Sequence, residues 1–268
     1  MSITEDCCKP APPAVDDAVG KEELVADVPA YVTGSHSASA AVIFISDLFG
    51  FDTPLLRRLA DKVAKAGYFV VVPDFFHGDP FVGGQGENLF QGLDTWLPKH
   101  MPNGSVGDVK KIVEYLRAKG ISSFGASGFC WGAKVAALVG KDDTFSALVQ
   151  LHPSLADASD YEEVKPPIAV LASPTDQAEE LAAPILGART DIKSFVKVFP
   201  NVFHGWTVRY DENDPEIVAK AEEAHKDMLD WYAKYLPVTA TETTTTSSSA
   251  TTTIPKTIKE LLPAKLIE

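Results

Sequence analysis

The sequence predicts an α/β protein with one mostly parallel central sheet covered by helices on both faces. Short β-branched runs alternate with longer segments of helical period, the runs are apolar on both faces, and helices rather than tight turns join them. In chain order, "AAVIFISD" (Ala40 to Asp47) reads as a buried strand, and Leu55, Leu56, Leu59, Ala60 and Val63 follow at helical spacing. "GYFVVVPD" (Gly67 to Asp74) is the next strand. A Gly-rich loop (Gly83 to Gly86) leads to a helix carrying Val109, Ile112, Val113 and Leu116, then to the strand "ISSFGASG" and the helical "WGAKVAALVG". The strands "SALVQLHP", "PIAVLASP" and "SFVKVFP" and a helix around Ile217 to Tyr235 complete the pattern. No repeat of fixed period is present.

The 268 residues, 45% hydrophobic, suffice for one packed domain, expected over 22–236. Residues 1–21, rich in Pro, Ala and Asp, show no period and are expected to form a flexible arm. Residues 237–268 are expected to be a linker and short tail. Thr239 to Thr253, "TATETTTTSSSATTT", is too polar to offset its ordering entropy, and the helical spacing of Ile258, Leu261 and Leu262 is interrupted by Pro263.

With 37 acidic and 24 basic side chains the net charge is -13, which disfavours a nucleic-acid backbone or an anionic membrane as partner. A small molecule fits better, with the protein a monomer or weak homodimer. Three cysteines, two of them adjacent at Cys7 and Cys8, do not make a disulfide framework, so a reducing, cytoplasmic location is expected. The start "MSITEDCCKP" lacks the features of a secretory signal, and the apolar runs are too short to span a membrane.

The stretch "SGFCWG" (Ser127 to Gly132) places Cys130 between two glycines, after a strand and before a helix. Gly128-Phe129-Cys130-Trp131-Gly132 is the G-x-S-x-G nucleophile elbow of α/β-hydrolase folds with cysteine in place of serine. The glycines relieve crowding where strand turns sharply into helix. The first-turn N–H groups and the helix dipole then favour thiolate. A buried, inert thiol is the bland alternative. No phosphate-binding glycine motif competes.

The elbow requires an acid and then a histidine after later strands. Asp176 follows "PIAVLASPT" and His204 follows "SFVKVFPNVF", so His204 is the expected base and Asp176 the group that orients it. His36, His100 and His225 are expected at the solvated surface. His77 and His152 follow strands but precede Asp176, and can only line the pocket. No motif supports a metal, and no cofactor is expected.

"SDLFGF", "PDFFHGDP", "GFCWGAKV", "LHPS", "TDQ" and "FHGWTVRY", in this order, make the chain resemble the dienelactone hydrolase family of α/β-hydrolases, most closely its plant branch, over about Val25 to Tyr235. The resemblance implies a Cys130, Asp176, His204 triad and an oxyanion hole from the backbone N–H groups of Leu48 and Trp131. Asp47, Phe49, Phe76, Trp206 and Arg209 are the implied substrate-binding residues. Bacterial relatives carry glutamate where Asp47 stands, and grip a substrate carboxylate with two arginines. Here only Arg209 is suitably placed, and it could equally form a surface ion pair with Asp211 or Glu212. The expected activity is hydrolysis of small esters or lactones through a thioester. A β-glucan-directed glycosidase, a label some plant relatives carry, and a non-catalytic ligand-binding protein are the alternatives.

Overall fold

A computed structural model describes residues 5–83 and 88–238. The eight strands are β1 (Lys21–Val25), β2 (Val28–Thr33), β3 (Ala40–Ile45), β4 (Phe69–Pro73), β5 (Ser123–Phe129), β6 (Ala147–Leu151), β7 (Ile168–Ala172) and β8 (Ser194–Val198). They form one sheet in the order β1-β2-β4-β3-β5-β6-β7-β8. β1, β2 and β4 pair antiparallel, and the other neighbours pair parallel. The helices are α1 (Pro54–Lys65), α2 (Leu93–Trp96), α3 (Val106–Ala118), α4 (Trp131–Val139), α5 (Ala158–Glu162), α6 (Ala182–Ala188) and α7 (Pro215–Tyr235).

β3 shows why the apolar runs lack alternation. All six of its residues are buried, and successive side chains enter opposite cores: Ala41, Ile43 and Ile45 face the α3 and α4 side, while Val42 and Phe44 face α1 and α7. Every strand and long helix expected from the sequence forms. The β1–β2 hairpin was not anticipated, because "KEELV" is polar at its edge and carries no continuous apolar run.

The N-terminal segment differs from the expected loose arm. Glu5–Cys8 forms a 3-10 turn with Cys7 and Cys8 buried. Further along, the Val19 N–H donates to Asp61 Oδ2 at 2.9 Å and the Gly20 N–H to the Tyr31 hydroxyl at 2.7 Å. Two buried thiols and these tethers outweigh the proline-rich composition. His225 is also buried rather than solvated, with Nε2 2.8 Å from the Thr207 carbonyl, and His100 is half-buried and stacked on Trp96. His36 is exposed as expected, and His77 is an exposed ion-pair partner of Asp108. Part of the Gly83 to Gly86 loop and the Thr239 to Thr253 tract with its following tail, including Ile258, Leu261, Leu262 and Pro263, lie outside the described residues. Among the described residues, no helix is long and apolar enough to cross a membrane.

The elbow glycines are required by close packing. A Cβ on Gly128 would stand 2.3 Å from the Gly132 carbonyl oxygen, and one on Gly132 only 2.0 Å from that of Ile45. Gly187, in α6, has nothing within 4 Å of such a Cβ. Gly128→Ala is therefore expected to cost about 3 kcal/mol in urea denaturation. Gly187→Ala should be neutral or stabilising by up to about 1 kcal/mol.

Candidate active site

Cys130 sits between β5 and α4 at φ 53° and ψ −112°, a left-side conformation that a side chain bearing a Cβ rarely adopts. Its N–H donates to the Leu151 carbonyl at 3.1 Å, and its carbonyl accepts from the Ser154 and Ala133 N–H groups. The turn is thus tied to the end of β6 and to its own helix. Trp131 opens α4, so its N–H has no intrahelical acceptor. The indole is held by Nε1 donating to the His100 carbonyl at 2.8 Å and by the Phe76 ring at 4.7 Å.

Asp176, after β7, and His204, after β8, meet as the chain order requires. His204 Nδ1 lies 2.6 Å from Asp176 Oδ1, and Asp176 Oδ2 accepts from the Ser173 N–H at 2.5 Å. Both side chains are buried. The remaining ring nitrogen, Nε2, finds no oxygen or nitrogen partner among the described residues. One nitrogen of this ring lies within 4.8 Å of both the Cys130 and the Cys7 sulfurs, which are equally close to each other. Because Nδ1 is committed to Asp176, Nε2 is the nitrogen that faces them. Sulfur, imidazole and carboxylate therefore lie together at one edge of the sheet. The second sulfur was not expected.

Cys7 is brought in by the N-terminal turn, its Sγ 3.0 Å from Ser154 Oγ, which is itself 3.6 Å from Cys130 Sγ. The segment is anchored by Arg209, whose Nη1 donates to the Asp6 carbonyl at 3.0 Å and to the Lys9 carbonyl. Arg209 is 2% exposed, and its Nε lies 3.0 Å from Asp47 Oδ2. The surface pairing with Asp211 or Glu212 is thereby corrected: the arginine turns inward because a buried carboxylate and two buried carbonyls await it. Phe49 covers the guanidinium at 5.2 Å, and its N–H donates to Asp47 Oδ1 at 3.0 Å.

The other expected binding residues lie deeper. Trp206 is fully buried behind His152, and Phe76 supports the Trp131 indole. Leu48 is buried in the loop after β3. His152 is buried with Nε2 2.8 Å from Thr207 Oγ1 and its ring edge-on to His204 at 5.0 Å. A cleft of about 20 Å³ opens beside the triad, lined by Ser154, Leu155, Thr175, Asp176, Gln177 and His204 among others.

Proton affinities follow from this packing. Burial pulls the His204 imidazole down, but its bonds to Asp176 and Cys7 lift it to about 9. The hydrogen bond from Cys130 draws Cys7 down to about 3 against the effect of burial, helped by His204 and Ser154. Burial and the Cys7 sulfur push the Cys130 thiol well up. Burial raises the Asp47 carboxyl, with Arg209 opposing.

The fold and the elbow define a protein of the α/β-hydrolase class with a cysteine at the elbow. The dienelactone hydrolase family model matches residues 28–236. A carboxymethylenebutenolidase homologue from Xenopus tropicalis is 31% identical over 230 residues, 82% of this chain and 92% of its own. The chain belongs to the dienelactone hydrolase family, and is a hydrolase of the ester and lactone type. An endo-1,3;1,4-beta-D-glucanase from Zea mays is 42% identical over 158 residues, 58% of this chain but only half of the maize protein's length. A putative dienelactone hydrolase structure from Klebsiella pneumoniae superposes with a TM-score of 0.66 at 20% identity, covering 81% of this chain and 99% of that one.

Sequence reasoning missed Cys7, Ser154 as a contact of both sulfurs, and the Asp47–Arg209 pair. An adjacent cysteine pair in a chain with only three was the one available sign.

Two measurements check this geometry. Arg209→Ala leaves Asp47 buried without its counter-ion and the N-terminal turn without its anchor, and should cost about 3–5 kcal/mol in chemical denaturation. The raised imidazole favours the protonated ring in the folded state. Its contribution to stability is present below the free value of 6.5 and is lost as pH rises through about 9. Cys7→Ser removes a neighbour that raises the ring, so an NMR titration of the His204 C2 proton should move below about 9 in that variant.

Proposed function

We propose that the protein hydrolyses small carboxylic esters or lactones through a Cys130, His204, Asp176 triad. The observation that carries this reading is the 2.6 Å contact of His204 with Asp176 on the same side of the sheet as the strained Cys130 turn. Cys130 loses its proton to His204 Nε2, and the sulfur attacks the substrate carbonyl carbon. The negative oxygen is received by the N–H groups of Trp131 and Leu48. Collapse expels the alkoxide, which takes the proton from His204, and leaves a thioester on Cys130. Water then gives a proton to His204 and attacks the thioester, releasing the acid and restoring the thiol.

The cleft beside His204, at about 20 Å³, has room for roughly one water molecule, which suits the second half of the cycle. Thiolate leaves the tetrahedral intermediate more readily than an amine, whereas an enol or activated alcohol competes with it. Esters and lactones are therefore favoured over amides. Cys130 is only 1% exposed, so the 5–9 segment carrying Cys7 must yield before a substrate can reach the sulfur. Arg209 is occupied by Asp47 and by backbone carbonyls, which favours neutral substrates over a dienelactone carboxylate.

The maize relative's name supports a glucanase as the second reading. Glycoside hydrolysis needs two carboxylates flanking the bond, one acid and one base or nucleophile. Here Asp47 is paired with Arg209 and Asp176 is bonded to His204, which leaves neither placed for that work.

Cys130→Ala and His204→Ala should each lower kcat/KM toward small aryl esters by at least about 10³-fold, and the double variant should be no worse than either alone, because the two groups act as a unit. Full esterase activity in Cys130→Ala would end the proposal. Retained β-glucan hydrolysis in that variant would favour the second reading.

A further inference from the structure

We propose that Cys7, Cys130 and His204 form a binding site for a soft divalent cation of the Zn²⁺ type, with three protein ligands and one open position. Three donors, two sulfurs and an imidazole nitrogen, all lie within 4.8 Å of one another and are all buried. A tetrahedral zinc with S ligands at about 2.3 Å and N at about 2.0 Å places its ligand atoms roughly 3.5–3.8 Å apart. The donor set of two thiolates and one imidazole suits zinc or cadmium and does not suit magnesium or calcium.

The surroundings are those of a metal-ligating histidine. Asp176 accepts from His204 Nδ1 at 2.6 Å, which fixes the tautomer that leaves Nε2 as the donor to metal. Nε2 is buried and has no oxygen or nitrogen partner among the described residues. Ser154 Oγ, 3.0 Å from one sulfur and 3.6 Å from the other, borders the open position. Charge balances on loading: the two protons that the resting cluster carries on its sulfurs and ring go to solvent, two thiolates, a neutral imidazole and one Zn²⁺ sum to zero, and Asp47 remains paired with Arg209. The loaded site therefore adds no net charge to a buried region.

Coordination engages both the Cys130 sulfur and His204 Nε2, so metal binding and acyl transfer exclude one another. The three-donor geometry stands whether or not the hydrolytic reading holds, and its test does not require activity. The sequence carries no metal motif because the ligands come from three distant segments: the N-terminal turn, the elbow and the loop after β8.

The test titrates the reduced full-length protein with Zn²⁺ against a chromophoric chelator, and separately with Cd²⁺, reading the thiolate-to-metal charge-transfer absorption. The wild type should bind one ion per chain, with a Cd²⁺ band of two thiolate bonds and release of protons. Cys7→Ser and Cys130→Ser should each weaken binding by more than about 100-fold, and Asp176→Asn by about 10–100-fold. Cys8→Ser should leave affinity unchanged, because Cys8 stands outside the cluster. In the wild type, zinc should protect Cys7 and Cys130 from alkylation without protecting Cys8, a readout that holds even if a variant fails to fold. No saturable binding at micromolar metal, an unchanged affinity in Cys7→Ser, or equal loss in Cys8→Ser would overturn the site. Zinc binding in a protein inactive on every ester would uphold it while removing the hydrolase reading.

Discussion

The backbone at Cys130 holds φ 53° and ψ −112° because the turn around it is packed too tightly to relax. Gly128 and Gly132 bring β5, α4 and the end of β3 into contact at distances that admit no Cβ. The Cys130 N–H is meanwhile tied to the end of β6 and its carbonyl to Ser154 in the loop that follows. The parallel register of β3, β5 and β6 fixes those contacts, so the position of the sulfur is a consequence of sheet pairing. Strain of this kind persists only where the surrounding structure over-determines it. Once the sulfur is fixed, the ends of β7 and β8 bring the acid and the histidine to it, since parallel strands place all their following loops at one edge of the sheet.

A second constraint comes from a buried charge. Asp47 lies at the end of β3 where water does not reach it, and burial alone favours its neutral form. Arg209 supplies the counter-charge, but a guanidinium has more donors than one carboxylate uses. The spare donors take the Asp6 and Lys9 carbonyls, and these set the path of the N-terminal segment. Cys7 lies between those two anchor points, and it is delivered to the site for that reason. Burying an ion pair is weak evidence of stabilisation by itself. Here the pair positions the segment that brings Cys7 beside Cys130.

The sheet, its long helices and the placing of Cys130, Asp176 and His204 after successive strands were legible because each rests on local pattern. "AAVIFI" is apolar on both faces only in a strand covered on both sides, and the elbow glycines answer a local clash. The β1–β2 hairpin was hidden because an edge strand with one face in solvent resembles a loop in composition. His225 was misplaced because one buried hydrogen bond to the Thr207 carbonyl outweighs the polar residues beside it on α7. The N-terminal turn was illegible for a different reason. Its burial depends on Arg209, about two hundred residues away, and nothing in the local composition encodes that partner.

The distribution of protons within the cluster links covering to reactivity. The Cys7 sulfur accepts from Cys130 and, together with burial, pushes the Cys130 thiol up, while Asp176 and the same sulfur lift the imidazole against burial. The negative charge of the resting site is thus drawn to Cys7, and the sulfur at the elbow keeps its proton. In the proposed mechanism His204 must be neutral to accept that proton, and the neighbours that favour its protonated form are Asp176 and Cys7. The Cys7 sulfur is thus both one of the groups that raise the ring and a like charge that opposes a thiolate at the elbow. The side chain that lies against Cys130 is also the one that opposes its ionisation.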